Sequence, residues 1–225
     1  MKTIILFLSI INLLFAQTYE VERIKGEVKY ISAEQSNWQK VNNKTSVSGS
    51  TIISADHNSA ARIKGDGLNF TLKDGAAINV SNLKKMSTDE LIMALALDKV
   101  MSAPRKKEKN KSESTSVYGN DLGASGELIL TSDFGFKRIV GAKQLAENGF
   151  VESAIVSAKE IFRKYPDVAK DPDNRIYFAN LLYDKKLYEE ALEDYNSIKK
   201  LNLSNSQKVE VENKISAINK LLLKD

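Results

Sequence analysis

The sequence predicts an α+β multidomain chain, with an N-terminal all-β module of short antiparallel strands, built as a sandwich or roll, and a C-terminal all-α module of paired helices. Three observations carry that reading. Over residues 20–81 apolar side chains recur at every second position, in runs broken by glycine-containing turns. Over residues 134–224 they recur at helical spacing. Between the two lies residues 104–126, PRKKEKNKSESTSVYGNDLGASG, charged and then Ser- and Gly-rich, which reads as a flexible linker. The expected units are 20–103 and 132–225, folding separately.

The chain opens with MKTIILFLSIINLLFA, a basic start at Lys2 followed by an apolar core from Ile4 to Phe15. A small residue, Ala16, precedes the polar Gln17-Thr18-Tyr19-Glu20. This is the pattern of a signal peptide over residues 1–16, and the run is short for a membrane span. The alternatives are a buried strand or an uncleaved anchor. Leu14 occupies a place where a small residue is usual, so the cut is less defined than export. The expected location is periplasmic or otherwise extracytoplasmic, with no span left after cleavage. The absence of cysteine excludes disulfides, thiol nucleophiles and a lipidated N-terminal cysteine.

Net charge is +4, and the run 104–111 holds five basic residues and one acid. The remainder is close to neutral, so the high pI reflects a basic spacer rather than a basic face. That argues against nucleic-acid binding.

Alternation begins at Val21–Tyr30, where Gly26 permits a kink or bulge. Trp38 and Val41 follow a polar turn, and Thr51–Ser54 is β-branched and strand-like. Ala61 and Ile63 lead to Gly65-Asp66-Gly67; Leu68, Phe70 and Leu72 lead to Asp74-Gly75; Ala76, Ile78 and Val80 alternate again. Asp-Gly supplies positive φ at little steric cost, so both pairs predict tight turns. Residues 88–101 predict a helix capped by Ser87 or Thr88, with a broad apolar face expected to pack on the β module.

These residues carry a resemblance. Gly26-x-Val28, Trp38-x-x-Val41, Gly49-x-x-Ile52-x-Ser54, Ser59-x-Ala61-x-Ile63, Asp66-Gly67-x-x-Phe70-x-Leu72 and Ile78-x-Val80 follow the order and approximate spacing of the FecR domain. The likeness spans about residues 20–82; Ser50 and Ser54 depart from the family, which often has an acid and a threonine there. It implies a periplasmic, non-enzymatic β module. The signalling role of the founding type is not carried over, because that type has a cytoplasmic segment and an internal transmembrane helix.

The helical half begins at Ser132 or Asp133 as cap, with Phe136, Ile139, Val140 and Ala146 on one helix and Asn148-Gly149 at its end. Four further helices follow, through Val151–Phe162, Ile176–Leu182, Tyr188–Ile198 and Val211–Leu222. Ala154-x3-Ala158-x2-Ile161-x4-Pro166 matches Ala191-x3-Tyr195-x2-Ile198-x4-Leu203 at an offset of 37 residues. This resembles divergent tetratricopeptide repeats over about 134–203, with 206–224 as a capping helix. Arg175 stands at the usual tryptophan, Ala179 at the usual glycine and Leu203 at the second proline. A plain helix bundle is the alternative. The resemblance implies a groove for a protein or peptide, and Arg175, Tyr177, Asn180 and Tyr183 are its candidate partner-binding residues.

No catalytic constellation emerges. The single histidine, His57, sits in Asp56-His57-Asn58-Ser59, which reads as a turn. One histidine and no cysteine argue against zinc, and Asp66 and Asp74 lack the clustered acids calcium needs. Trp38 reads as core, with stacking on a sugar as the alternative. No cofactor is expected. The expected function is a non-enzymatic envelope scaffold that binds an envelope protein or peptide through its helices; the alternative is binding of peptidoglycan or another cell-wall polysaccharide. An enzyme with an unrecognised site is the third reading.

Overall fold

The computed structural model describes residues 18–32, 35, 37–102 and 131–223. The expected signal peptide, residues 1–16, and the expected linker, residues 104–126, lie outside the described residues. Eight strands form two four-stranded antiparallel sheets. One has the order β4-β1-β6-β7, from Lys44–Ser48 (β4), Thr18–Lys25 (β1), Ala60–Gly65 (β6) and Leu68–Lys73 (β7). The other has the order β3-β2-β5-β8, from Gln39–Lys40 (β3), Val28–Ile31 (β2), Ile52–Ala55 (β5) and Ala76–Asn79 (β8). Thus an N-terminal β half and a C-terminal α half are both present.

Gly26 explains why Val21–Tyr30 is two strands rather than one. Its φ is +68°, and a Cβ there would lie 2.3 Å from Ser59 Oγ. The chain breaks at this point and passes from one sheet to the other, while Ser59 Oγ accepts the Glu27 N–H at 2.8 Å. The two Asp-Gly pairs have different outcomes. Asp66 and Gly67 both have positive φ and close the β6–β7 hairpin. Gly75 also has positive φ, yet β7 and β8 belong to different sheets, so Asp74-Gly75 is a corner.

Seven helices complete the described chain: α1 Thr88–Ser102, α2 Ser132–Glu147, α3 Val151–Lys164, α4 Pro166–Ala169, α5 Pro172–Asp184, α6 Tyr188–Ile198 and α7 Asn205–Leu222. Ser87 caps α1: its hydroxyl accepts the Glu90 N–H at 3.2 Å, and Glu90 accepts the Ser87 N–H at 2.7 Å. The cap of α2 is Thr131, one residue before the expected Ser132, because its hydroxyl reaches the Phe134 N–H. Between α3 and α5 the chain forms the short helix α4, started by Pro166. Ala154 and Ala191, the small residues of the matched segments, are fully buried.

Two features of the packing bear on the expected units. First, α1 does not lie on the sheets. Leu91 and Leu95 join the apolar cluster of the helical half with Ile155, Ile176, Ala179 and Tyr195. Asp98 pairs with Arg163 on α3 at 3.3 Å, and Lys99 with Glu193 on α6 at 2.6 Å. Second, the two halves pack against each other. One apolar cluster runs from Val21, Ile53, Phe70 and Ile78 of the sheets into Phe134, Ala142, Phe150 and Ile161 of the helices. Phe70 meets Phe150 edge-to-face at 6.2 Å. Gln144 donates to the Lys73 carbonyl at 3.1 Å and accepts its N–H at 2.9 Å. Gln144 thereby satisfies two backbone groups of β7 that have no strand on that side.

Candidate functional site

The four candidate partner-binding residues on α5 face three different neighbours. Arg175 turns inward: its guanidinium donates to Ser197 Oγ at 3.3 Å and stacks 5.1 Å from the Phe162 ring centroid. Tyr177 points toward α2, where the Lys143 ammonium lies 5.3 Å from its ring centroid. Asn180 and Tyr183 point toward α7. Asn180 donates to Glu210 at 3.0 Å and accepts from the buried Tyr195 hydroxyl, and Lys214 lies 3.9 Å over the Tyr183 ring. Burial pushes the Tyr195 phenol far above its ordinary pKa, so it remains a hydrogen-bond donor. The structure therefore spends these side chains on contacts within the chain and does not bring them together on one open groove.

The exposed counterpart is on α1. With Leu91 and Leu95 turned inward, the opposite side of the same helix carries Met93, Leu97, Val100 and Met101, exposed by 73%, 58%, 73% and 40%. Their spacing of four, three and one residues places them on one stripe. Asp98 and Lys99 of the same helix are turned instead to their ion pairs on α3 and α6. Single exposed apolar residues are ordinary, whereas several aligned on one helix face make a candidate interaction surface. Sequence reasoning missed it because the helix is apolar on most of its circumference. The signal was present in that excess, but the direction of packing was not.

A second feature is a cleft of about 210 Å³ where the sheets meet the start of α2. Asp56, just after β5, is fixed through its backbone: its N–H donates to Glu27 O at 3.0 Å, and its carbonyl accepts from Ser59 and Gly75. Its carboxylate accepts from Lys29 of β2 at 3.2 Å and from Lys137 of α2. Burial pushes the Asp56 carboxyl up, but the hydrogen bonds from Lys137 and Lys29 outweigh it and hold the group below its ordinary value. Trp38 forms one wall, edge-to-face with Phe134 at 5.6 Å. Trp38 is thus half-buried, part core and part cleft.

The depressed Asp56 carboxyl has a sign. Its contribution to stability is complete above the unfolded carboxyl range, about pH 4, and is lost as pH falls through the lower folded value. Asp56→Asn is expected to lose roughly 1 kcal/mol at neutral pH, with its difference from wild type shrinking under acid. Urea unfolding at several pH values checks this; a constant difference down to pH values below the carboxyl range would contradict it.

Among the described residues no cluster of three or more His, Asp or Glu side chains is placed to hold a metal ion, and no helix is long and apolar enough to cross a membrane. His57 is exposed in the turn between β5 and β6, with Nδ1 3.2 Å from Asp74. Compared with known proteins, the chain matches no family model, no curated protein and no solved structure.

Proposed function

We propose that this protein is an exported, non-enzymatic docking protein of the bacterial cell envelope, with a FecR-like β module and tetratricopeptide-like helices. The observation that carries the reading is the outward stripe of α1, anchored by Leu91 and Leu95 to the helical half. A rigid helix presenting aliphatic and thioether side chains suits an apolar groove or helix on a protein partner, and methionine adapts to irregular surfaces. This stripe takes precedence over Arg175, Tyr177, Asn180 and Tyr183 as the first surface to test, since the α5 side chains already have partners within the chain.

A photo-crosslinking residue at Met93 or Val100, introduced in the native host, is expected to capture one reproducible envelope protein. Leu97→Glu combined with Val100→Glu is expected to abolish that capture. Both positions are exposed, so stability should stay within about 0.5 kcal/mol of wild type. Crosslinks that stay within the chain, or capture that survives the double substitution, would sink the reading.

A further inference from the structure

The cleft between β2, β5 and α2 has a composition that the docking reading leaves unused. Its charged lining is balanced: two lysines, Lys29 and Lys137, and two aspartates, Asp56 and Asp133. Asp56 already takes hydrogen bonds from both lysines. A strongly anionic ligand would meet that carboxylate, and a strongly cationic one would meet the lysines. A neutral hydroxylated ligand meets neither penalty, because each hydroxyl both donates to a carboxylate and accepts from an ammonium. The remaining wall is aromatic, with Trp38 set edge-to-face against Phe134. An aromatic ring covers the apolar face of a compact ligand whose rim is polar. The volume, about 210 Å³, is below the range of drug-sized pockets and suits one six-membered ring with its neighbours outside. Residues from both halves of the chain build the site, a common position for ligand clefts.

We propose that this cleft binds one uncharged sugar ring of a cell-envelope glycan, with Trp38 as the stacking wall and Lys29, Lys137 and Asp133 contacting its hydroxyls. The proposal is independent of the α1 stripe. It places the two binding functions on different surfaces, glycan at the seam and protein partner on α1.

Trp38 is the single tryptophan of the chain, so its emission reports on this cleft alone. The test titrates the full mature chain with uncharged tetramers of N-acetylglucosamine and of glucose, following fluorescence and calorimetry. A saturable change in Trp38 emission with at least one tetramer is expected. Asp133→Asn, at an exposed position, should weaken it about tenfold with an unchanged circular dichroism spectrum. Heat without a change in Trp38 emission would place binding elsewhere and overturn the proposal. So would a response to inorganic phosphate or tetralysine but to neither sugar, or no response from folded protein.

Discussion

Gly141→Val is expected to destabilise the whole protein by about 3 kcal/mol, lowering the melting temperature by about 10 °C. Gly141 lies within α2, where a glycine ordinarily weakens a helix by about 1 kcal/mol relative to alanine. Replacing it should therefore help, were it not for what it touches. A Cβ at this position would sit 2.1 Å from the Ala77 carbonyl oxygen and 2.7 Å from Ile78 Cγ2. The first atom is backbone of β8 and cannot rotate aside. Ala77 is paired with Ser54 of β5, so a displaced β8 disturbs the strand that leads into Asp56. Valine adds two further methyl groups at a contact that already lacks room for one. The expected signature is coincident loss of helical ellipticity and Trp38 emission in urea at a lower midpoint. A midpoint equal to wild type would show that α2 does not ride on β8 at this distance. Loss of helix with the sheets intact would show that the two halves are uncoupled.

How much of this is legible in the sequence depends on the distance over which a signal acts. Alternation over Leu68–Leu72 and the positive φ demanded at Gly67 are local properties, and the β6–β7 hairpin follows from them. Asp74-Gly75 carries the same local signal, but whether the next strand pairs with the last is decided by which apolar faces remain uncovered. Sequence periodicity does not contain that. The same limit applies to α1. Leu91 and Leu95 on one side and Met93, Leu97 and Val100 on the other are all apolar, so the sequence reads a broad face where the structure has a buried side and an exposed one. The cleft is the least legible feature, since Asp56 and Lys137 meet across 81 positions. Gly141 is the available hint: a glycine inside a helical pattern signals a close approach by something unnamed. Arg175 shows the opposite failure. Its position in a repeat resemblance suggests a binding role, whereas Ser197 and the Phe162 ring occupy it.

Residues 18–103 produced alone are expected to be less stable than the same residues in the intact chain, by roughly 4 kcal/mol, and to regain that stability when residues 127–225 are added as a separate piece. The cost comes from the seam and from α1, whose Leu91 and Leu95 lose the helical cluster they pack in. Phe70 and Ile78 are at most 2% exposed in the whole protein, and both lie against the helical half, through Phe150 and Gly141. Removing the helices returns much of two large apolar side chains to water, each worth about 1.5–3 kcal/mol when fully buried. It also deprives Lys73 of both backbone partners on Gln144 and Asp56 of Lys137. The sheets retain an inner core of their own around Val21, Ile53 and Ile63, so the fragment is weakened rather than abolished. In trans, the seam reforms without the connecting residues, because the apolar cluster and the Gln144 bonds depend on surfaces and not on chain continuity. Size-exclusion chromatography with urea unfolding of each piece and of the mixture decides the matter. Pieces that elute separately, each as stable as in the intact chain, would restore the picture of two independent modules. Co-elution with recovered stability would make the seam a permanent part of the molecule, as a ligand cleft built from both sides of it requires.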